Sequence, residues 1–156
     1  MSIEEKLKQE GYVVPVAAAP VANYVGVVRS GNLVIVSGQL CFDGSGKLPA
    51  DFKGKLGGNI SLETGQEAAR WCALNLLAQV KLVAGSLDNI TRCVRLGGFI
   101  NSTPDFAQLP QVMNGASDFM VLALGDVGRH ARSTIGVSQL PMDACVEVEG
   151  IFEIKD

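Results

Sequence analysis

Between residues 61 and 84, Ala69, Ala73, Leu76, Leu77, Val80 and Ala84 recur at helical spacing on one face. A helix of that length with one apolar stripe needs a second layer to cover the stripe. Thr64 and Glu67 stand at capping-box spacing near its start, and Gly85 supplies a C-terminal stop. A second stripe of Val112, Met113, Ala116, Phe119, Met120 and Ala123 predicts a helix over 109–124. Pro110 is tolerated there because it falls in the first turn.

The other layer must come from segments that alternate with period two. The stretch "YVGVVRSGNLVIVSGQL", residues 24–40, is two β-rich runs around the turn Arg29-Ser30-Gly31-Asn32. Residues 90–100 read as a strand, in which Gly97-Gly98 marks a bulge or a close backbone approach. Strands at 132–138 and 144–154 follow, joined by a turn through "LPM". In the last strand Ala144, Val146, Val148, Gly150, Phe152 and Ile154 share one face. Cys145, Glu147, Glu149, Ile151 and Glu153 share the other. The order β-β-α-β-α-β-β predicts an α+β fold, a mostly antiparallel sheet with two helices packed on one face. Residues 2–10 suggest a short amphipathic helix with Ile3 and Leu7 on one side; 13–22 is irregular and 43–60 a Gly-rich loop. We expect a single domain over 1–156, with residues 1 to about 18 as an N-terminal extension.

The composition limits the function classes. With 47% hydrophobic residues the chain has more apolar surface than a small monomer needs, which favours an oligomer. A net charge of −3 and scattered Lys and Arg argue against a nucleic-acid partner. The charged start "MSIEEKLKQEGY" has no secretory core, and the run "VVPVAAAPVANYVGVV" is too short and Pro-interrupted to span a membrane. Four widely spaced cysteines without a C-x-x-C suggest buried free thiols in a reducing cytoplasm rather than a metal site.

The polar groups that could do chemistry gather near the C-terminus. Alternation puts Arg132, Thr134, Gly136 and Ser138 on one strand face and Ile135 and Val137 on the other. A hairpin turn near Leu140-Pro141 would set Arg132 opposite Glu147 to Glu149, with both polar faces on the side of the sheet away from the helices. Two readings fit. One is a cross-strand Arg–Glu pair worth up to about 1 kcal/mol. The other is an arginine fork gripping a substrate carboxylate while a glutamate handles water. His130 is the only histidine and a possible proton carrier, although a loop histidine is more often solvated. Cys145 reads as a buried thiol, Trp71 as a packing anchor and Arg95 as a partner in an ion pair.

The segments 24–40 and "ARSTIGVSQLPMDACVEVEGI", 131–151, resemble the Rid/YjgF family of reactive-intermediate deaminases, also called endoribonuclease L-PSP. The shared signatures are S-G-Q after an apolar strand and R-S-x-x-x-V-x-x-L-P…V-E-x-E. The resemblance runs from about residue 19 onward. It implies a chorismate-mutase-like fold with a sheet of about six strands backed by two helices. It also implies homotrimers with ligand clefts between subunits, and cofactor-free hydrolysis of imines of small 2-amino acids to the 2-keto acid and ammonia. By that resemblance Arg132 holds the carboxylate of a small metabolite, Glu147 attends the attacking water, and Tyr24 and Ser37 line the cleft.

The chain departs from the deaminase pattern in several places. His130-Ala131-Arg132-Ser133-Thr134 stands where many members read P-A-R-S-C, so Thr134 replaces a cleft cysteine. Pro104 falls where an asparagine is frequent, and both the N-terminal extension and the 41–60 loop are longer. A non-catalytic, regulatory binder of small carboxylates is the alternative expectation. An endoribonuclease is a weaker one, since a single His offers no acid–base pair.

Overall fold

The computed structural model describes residues 1–20 and 22–156; Val21, inside the irregular 13–22 segment, lies outside the described residues. Among the described residues there are three α-helices: α1 (Ile3–Gln9), α2 (Leu62–Ala84) and α3 (Leu109–Leu124). The strands are β1 (Val27–Ser30), β2 (Leu33–Leu40), β3 (Ile90–Asn101), β4 (Ala131–Val137) and β5 (Val146–Ile154). They form one five-stranded sheet in the order β1-β2-β5-β3-β4. Among the described residues the expected sixth strand is absent. The extended piece of the 43–60 loop makes only isolated bridges, Lys53 to Ala144 and Leu56 to Ser102.

Each helix begins and ends for a local reason. The cap of α2 is Ser61, whose Oγ accepts from the Thr64 N–H at 3.1 Å. Thr64 is therefore the third helical residue, not the cap that its spacing to Glu67 suggested. Gly85 closes the helix with φ +76°. The buried residues of α3 are Val112, Met113, Ala116, Phe119, Met120 and Ala123, the stripe read from the sequence. These residues share one core with Leu96 and Ile100 of β3 and Val146, Val148 and Phe152 of β5. Leu7 of α1, fully buried, joins the same core. A fully buried Phe or Leu contributes roughly 1.5–3 kcal/mol, so this layer contact dominates stability.

The hairpin expected between the last two strands does not form. β4 lies parallel to β3, with Arg132 beside Leu96 and Thr134 beside Gly98. β3, α3 and β4 make a crossover unit, and a helical return brings the next strand in parallel. β5 then enters the middle of the sheet, antiparallel to both β2 and β3. The linker cannot close a two-residue turn. It runs through a 3-10 turn at Pro141–Asp143 with Met142 and Asp143 at positive φ, and Ala144 bridges away to Lys53. Arg132 is thus on an edge strand, with β3 between it and β5.

The two faces of β4 are also the reverse of the expectation. Arg132, Thr134 and Gly136 look toward α3, as their β3 neighbours Leu96, Gly98 and Ile100 do. Gly98 lies directly under Met113 of α3. Ile135 is on the helix-free face and half exposed. Glu147 and Glu149 do lie on that helix-free face.

Candidate functional site

Glu147 sits where β2 is irregular. The register slips between Val36 and Gln39, so Ser37 and Gly38 together oppose one residue of β5. The bulge brings the Gly38 backbone against the Glu147 carboxylate. A Cβ there would lie 2.7 Å from Glu147 Oε2, so any larger residue would displace the carboxylate from this position. The carboxylate opens into a cavity of about 360 Å³ whose wall includes Tyr24, Leu40, Phe42 and Met142.

The cavity is apolar and Glu147 has no cation to balance it. Among the described residues the ion pairs are Lys81–Glu4, Arg95–Glu149 and Arg129–Asp126. Burial, with a smaller push from the Glu149 charge, raises the Glu147 pKa above the ordinary carboxylate range. Such a group takes a proton more readily than a surface glutamate, as a general base near neutral pH requires.

Tyr24 reaches the cavity from the segment before β1. Ser37 is not among the lining residues. Its Oγ donates to the Val25 carbonyl (2.8 Å), and its N–H donates to the Gly26 carbonyl (2.9 Å), so it fastens the Tyr24 segment to the bulge. Gln79, nearly fully buried on α2, anchors another wall by donating from Nε2 to the Ala18 carbonyl at 2.9 Å. Asn75, one turn earlier, donates to the carbonyls of Leu40 and Phe42. Two polar residues on a buried helix face were the sequence signal for this bracing.

Arg132 forms a second centre. Its Nη1 donates to Asn114 Oδ1 (2.9 Å) and Ser117 Oγ (3.0 Å), both on α3, and Nη2 makes a long 3.5 Å contact with the Pro110 carbonyl. No carboxylate pairs with it among the described residues, so the cross-strand Arg–Glu pair is absent. His130 adjoins this centre: its Nε2 lies 2.9 Å from Ser117 Oγ and its Nδ1 lies 2.7 Å from the Gly128 carbonyl. Burial first, and the Arg132 charge after it, lowers the His130 pKa, favouring the neutral ring. Thr134 Oγ1, two residues along the same face, is buried without a hydrogen-bond partner. Asn114 and Ser117 are the residues that sequence reasoning missed, because their role depends on α3 lying over β4.

The remaining candidates resolve simply. Arg95 pairs with Glu149 at 4.0 Å on the helix-free face. The four cysteines are buried free thiols, and the Cys145 pKa is pushed up by a hydrogen bond with Cys41 and by burial. Among the described residues no group of three or more His, Cys, Asp or Glu could hold a metal ion, and no helix is long and apolar enough to cross a membrane.

Within one chain Arg132 and Glu147 do not share a site. β3 separates their strands, and the two side chains leave opposite faces of the sheet. Each is nonetheless an ionisable group held in place without an opposite charge.

Comparison with known proteins agrees with this architecture. The chain is 42% identical to "Protein TCP17" of Trypanosoma cruzi over 99% of its own length and 95% of that protein. It is 28% identical to a 2-iminobutanoate/2-iminopropanoate deaminase of Dermatophagoides farinae, covering 90% of this chain and 93% of the deaminase. The crystal structure of Atu1372 from Agrobacterium tumefaciens, a protein of unknown function, superposes with a TM-score of 0.90 at 44% identity, covering 98% of this chain and 92% of that one. The family model described as "YjgF/chorismate_mutase-like, putative endoribonuclease" matches residues 4–153. With that match over nearly its whole length, the chain belongs to the YjgF/chorismate-mutase-like, or Rid, family.

Proposed function

We propose that this protein hydrolyses the imine of a small 2-amino acid to the 2-keto acid and ammonia, in a cleft between two subunits. The observation that supports it best is the pair of unbalanced charges. Arg132 is held by neutral acceptors alone, and Glu147 is desolvated beside a cavity with no cation. An anionic substrate with an electrophilic carbon answers both. The sheet keeps the two apart in one chain, so a common substrate requires Arg132 of one subunit and Glu147 of its neighbour.

The exposed face of the sheet favours such an assembly. Leu33, Ile35 and Ile135 are 41%, 43% and 50% exposed on the side that no helix covers. An apolar sheet face of this kind is characteristic of a subunit interface, and a closed homotrimer would repeat the cleft symmetrically.

The reaction asks for position, a water and three proton transfers. The Arg132 fork fixes the substrate carboxylate and with it the plane of the imine. Glu147 takes a proton from water as the oxygen attacks the carbon of the protonated imine, giving a neutral carbinolamine. The carboxyl returns that proton to the amino nitrogen, and the regenerated carboxylate takes the hydroxyl proton as the C–N bond breaks, leaving the 2-keto acid and ammonia. Tyr24 closes the cavity near the reacting atoms.

The test couples the protein to a threonine dehydratase and follows release of 2-oxobutanoate. The protein should accelerate release, and Arg132→Ala and Glu147→Gln should each abolish the acceleration while leaving the fold intact. Binding of 2-oxobutanoate through Arg132 without turnover of any imine would instead make this a carboxylate-binding regulator. RNA cleavage lost with Arg132→Ala would point to the nuclease activity.

A further inference from the structure

His130 takes no part in the proposed proton transfers, yet its surroundings are ordered around Arg132. The Gly128 carbonyl can only accept, so the proton of the neutral ring is on Nδ1. Nε2 is then an acceptor, and the Ser117 hydroxyl must donate to it. That choice turns the oxygen lone pairs of Ser117 toward Arg132, whose Nη1 donates at 3.0 Å. Asn114 Oδ1 accepts the other Nη1 hydrogen at 2.9 Å. Both hydrogens of Nη1 are therefore matched to acceptors on α3.

The opposite edge of the guanidinium is different. Among the described residues Nε has no hydrogen bond, and Nη2 has only the 3.5 Å contact with the Pro110 carbonyl. Nε–H and the neighbouring Nη2–H are parallel donors at the spacing of two carboxylate oxygens. We propose that His130, Ser117 and Asn114 are positioning residues that commit Nη1 to the protein, so that Arg132 takes its carboxylate side-on through Nε and Nη2. This rests on the reading of Arg132 as the carboxylate anchor. His130 acts at two removes: it fixes the Ser117 rotor, Ser117 fixes Nη1, and the fork is presented in one orientation.

The burial that lowers the His130 pKa supports the arrangement, because a neutral ring keeps Nε2 an acceptor. Lysine at position 132 could not reproduce it, having no second edge to present.

Two measurements on the full chain test the proposal. Calorimetry with 2-oxobutanoate should show about tenfold weaker binding for Ser117→Ala, which removes a charge-assisted acceptor of Nη1, and for His130→Ala, which frees the Ser117 rotor that presents it. His130→Gln, whose amide oxygen can accept from Ser117, should recover most of the loss. In turnover the same variants should raise KM and leave kcat nearly unchanged. Nitrogen NMR of the ligand-free protein should show slow rotation about the Arg132 Cζ–Nη1 bond in the wild type and His130→Gln, and fast rotation in His130→Ala. If Arg132→Ala weakens binding while Ser117→Ala and His130→Ala bind like wild type, the brace is overturned and the anchor stands. If Arg132→Ala itself binds 2-oxobutanoate normally, the anchor fails and the side-on grip fails with it. Free rotation of Nη1 in the wild type would overturn the brace whatever the affinities.

Discussion

Gly115 lies between Asn114 and Ser117 on α3, where α3 passes close to the α2 backbone at Gln66. A Cβ there would lie 2.0 Å from the Gln66 carbonyl oxygen and 2.7 Å from its carbon, and both are backbone atoms. Gly115→Ala must therefore push the two helices apart. Overpacking of this kind costs about 1–3 kcal/mol, whereas replacing a mid-helix glycine by alanine returns about 0.5–1 kcal/mol. A 2.0 Å approach to backbone atoms puts the cost at the upper end, about 3 kcal/mol, so the net loss is about 2–2.5 kcal/mol and Tm falls by roughly 4–10 °C for a chain of this size. Because the displaced stretch carries both acceptors of Arg132 Nη1, affinity for 2-oxobutanoate should fall as well. Thermal unfolding followed by circular dichroism, with calorimetry on the same samples, measures both. An unchanged or raised Tm would show that helix propensity decides here and that α2 and α3 are not in contact at Gly115.

Three further predictions follow from the Glu147 environment and the sheet face. Activity should fall as pH drops through the raised Glu147 pKa, and Glu149→Gln, which removes a like charge, should move that acid limb to lower pH; a pH–rate profile that does not move would contradict the coupling. Because the folded-state pKa of Glu147 is raised, ionisation opposes folding, so Glu147→Gln should be the more stable protein at pH 7. That gain should shrink as pH falls below the ordinary carboxylate range, and denaturant titrations at pH 7 and pH 4 would show it; an unstable Gln variant at pH 7 would reverse the sign. Ile135→Glu places a charge on the exposed helix-free face. It should reduce the mass measured by light scattering to the 16.4 kDa of one chain and abolish turnover together, whereas an unchanged mass would put the interface elsewhere.

The helices were legible in the sequence because their signals are local. The α3 stripe from Val112 to Ala123 was read residue for residue, since a 3.6 period and a first-turn proline need no tertiary information. Alternation along β5 was equally plain, and it put Glu147 on the correct face. The pairing of β4 was not legible in the same way. Adjacent strands pair often enough to make a hairpin the natural guess, and nothing between residues 138 and 145 announces positive φ at Met142 and Asp143. The better signal was the long helix between β3 and β4, which marks a parallel crossover and would have put Arg132 on the α3 side. Tyr24, Glu147 and Arg132 could be chosen as candidates by resemblance. Ser37 could not be seen as a fastening for the Tyr24 segment, nor Asn114 and Ser117 as the seat of Arg132, because each depends on contacts between elements distant in sequence.

The central claim is that one substrate is held by Arg132 of one subunit and attacked through a neighbouring subunit's Glu147. Subunit mixing tests it directly. Arg132→Ala and Glu147→Gln proteins, each inactive alone, are unfolded together and refolded at equal concentration. In a randomly mixed trimer about a quarter of the clefts combine an intact Arg132 with an intact Glu147 across the interface. About a quarter of wild-type 2-oxobutanoate release should return in the coupled assay. No recovery, from oligomers shown to contain both variants, would mean that the two residues do not meet across an interface.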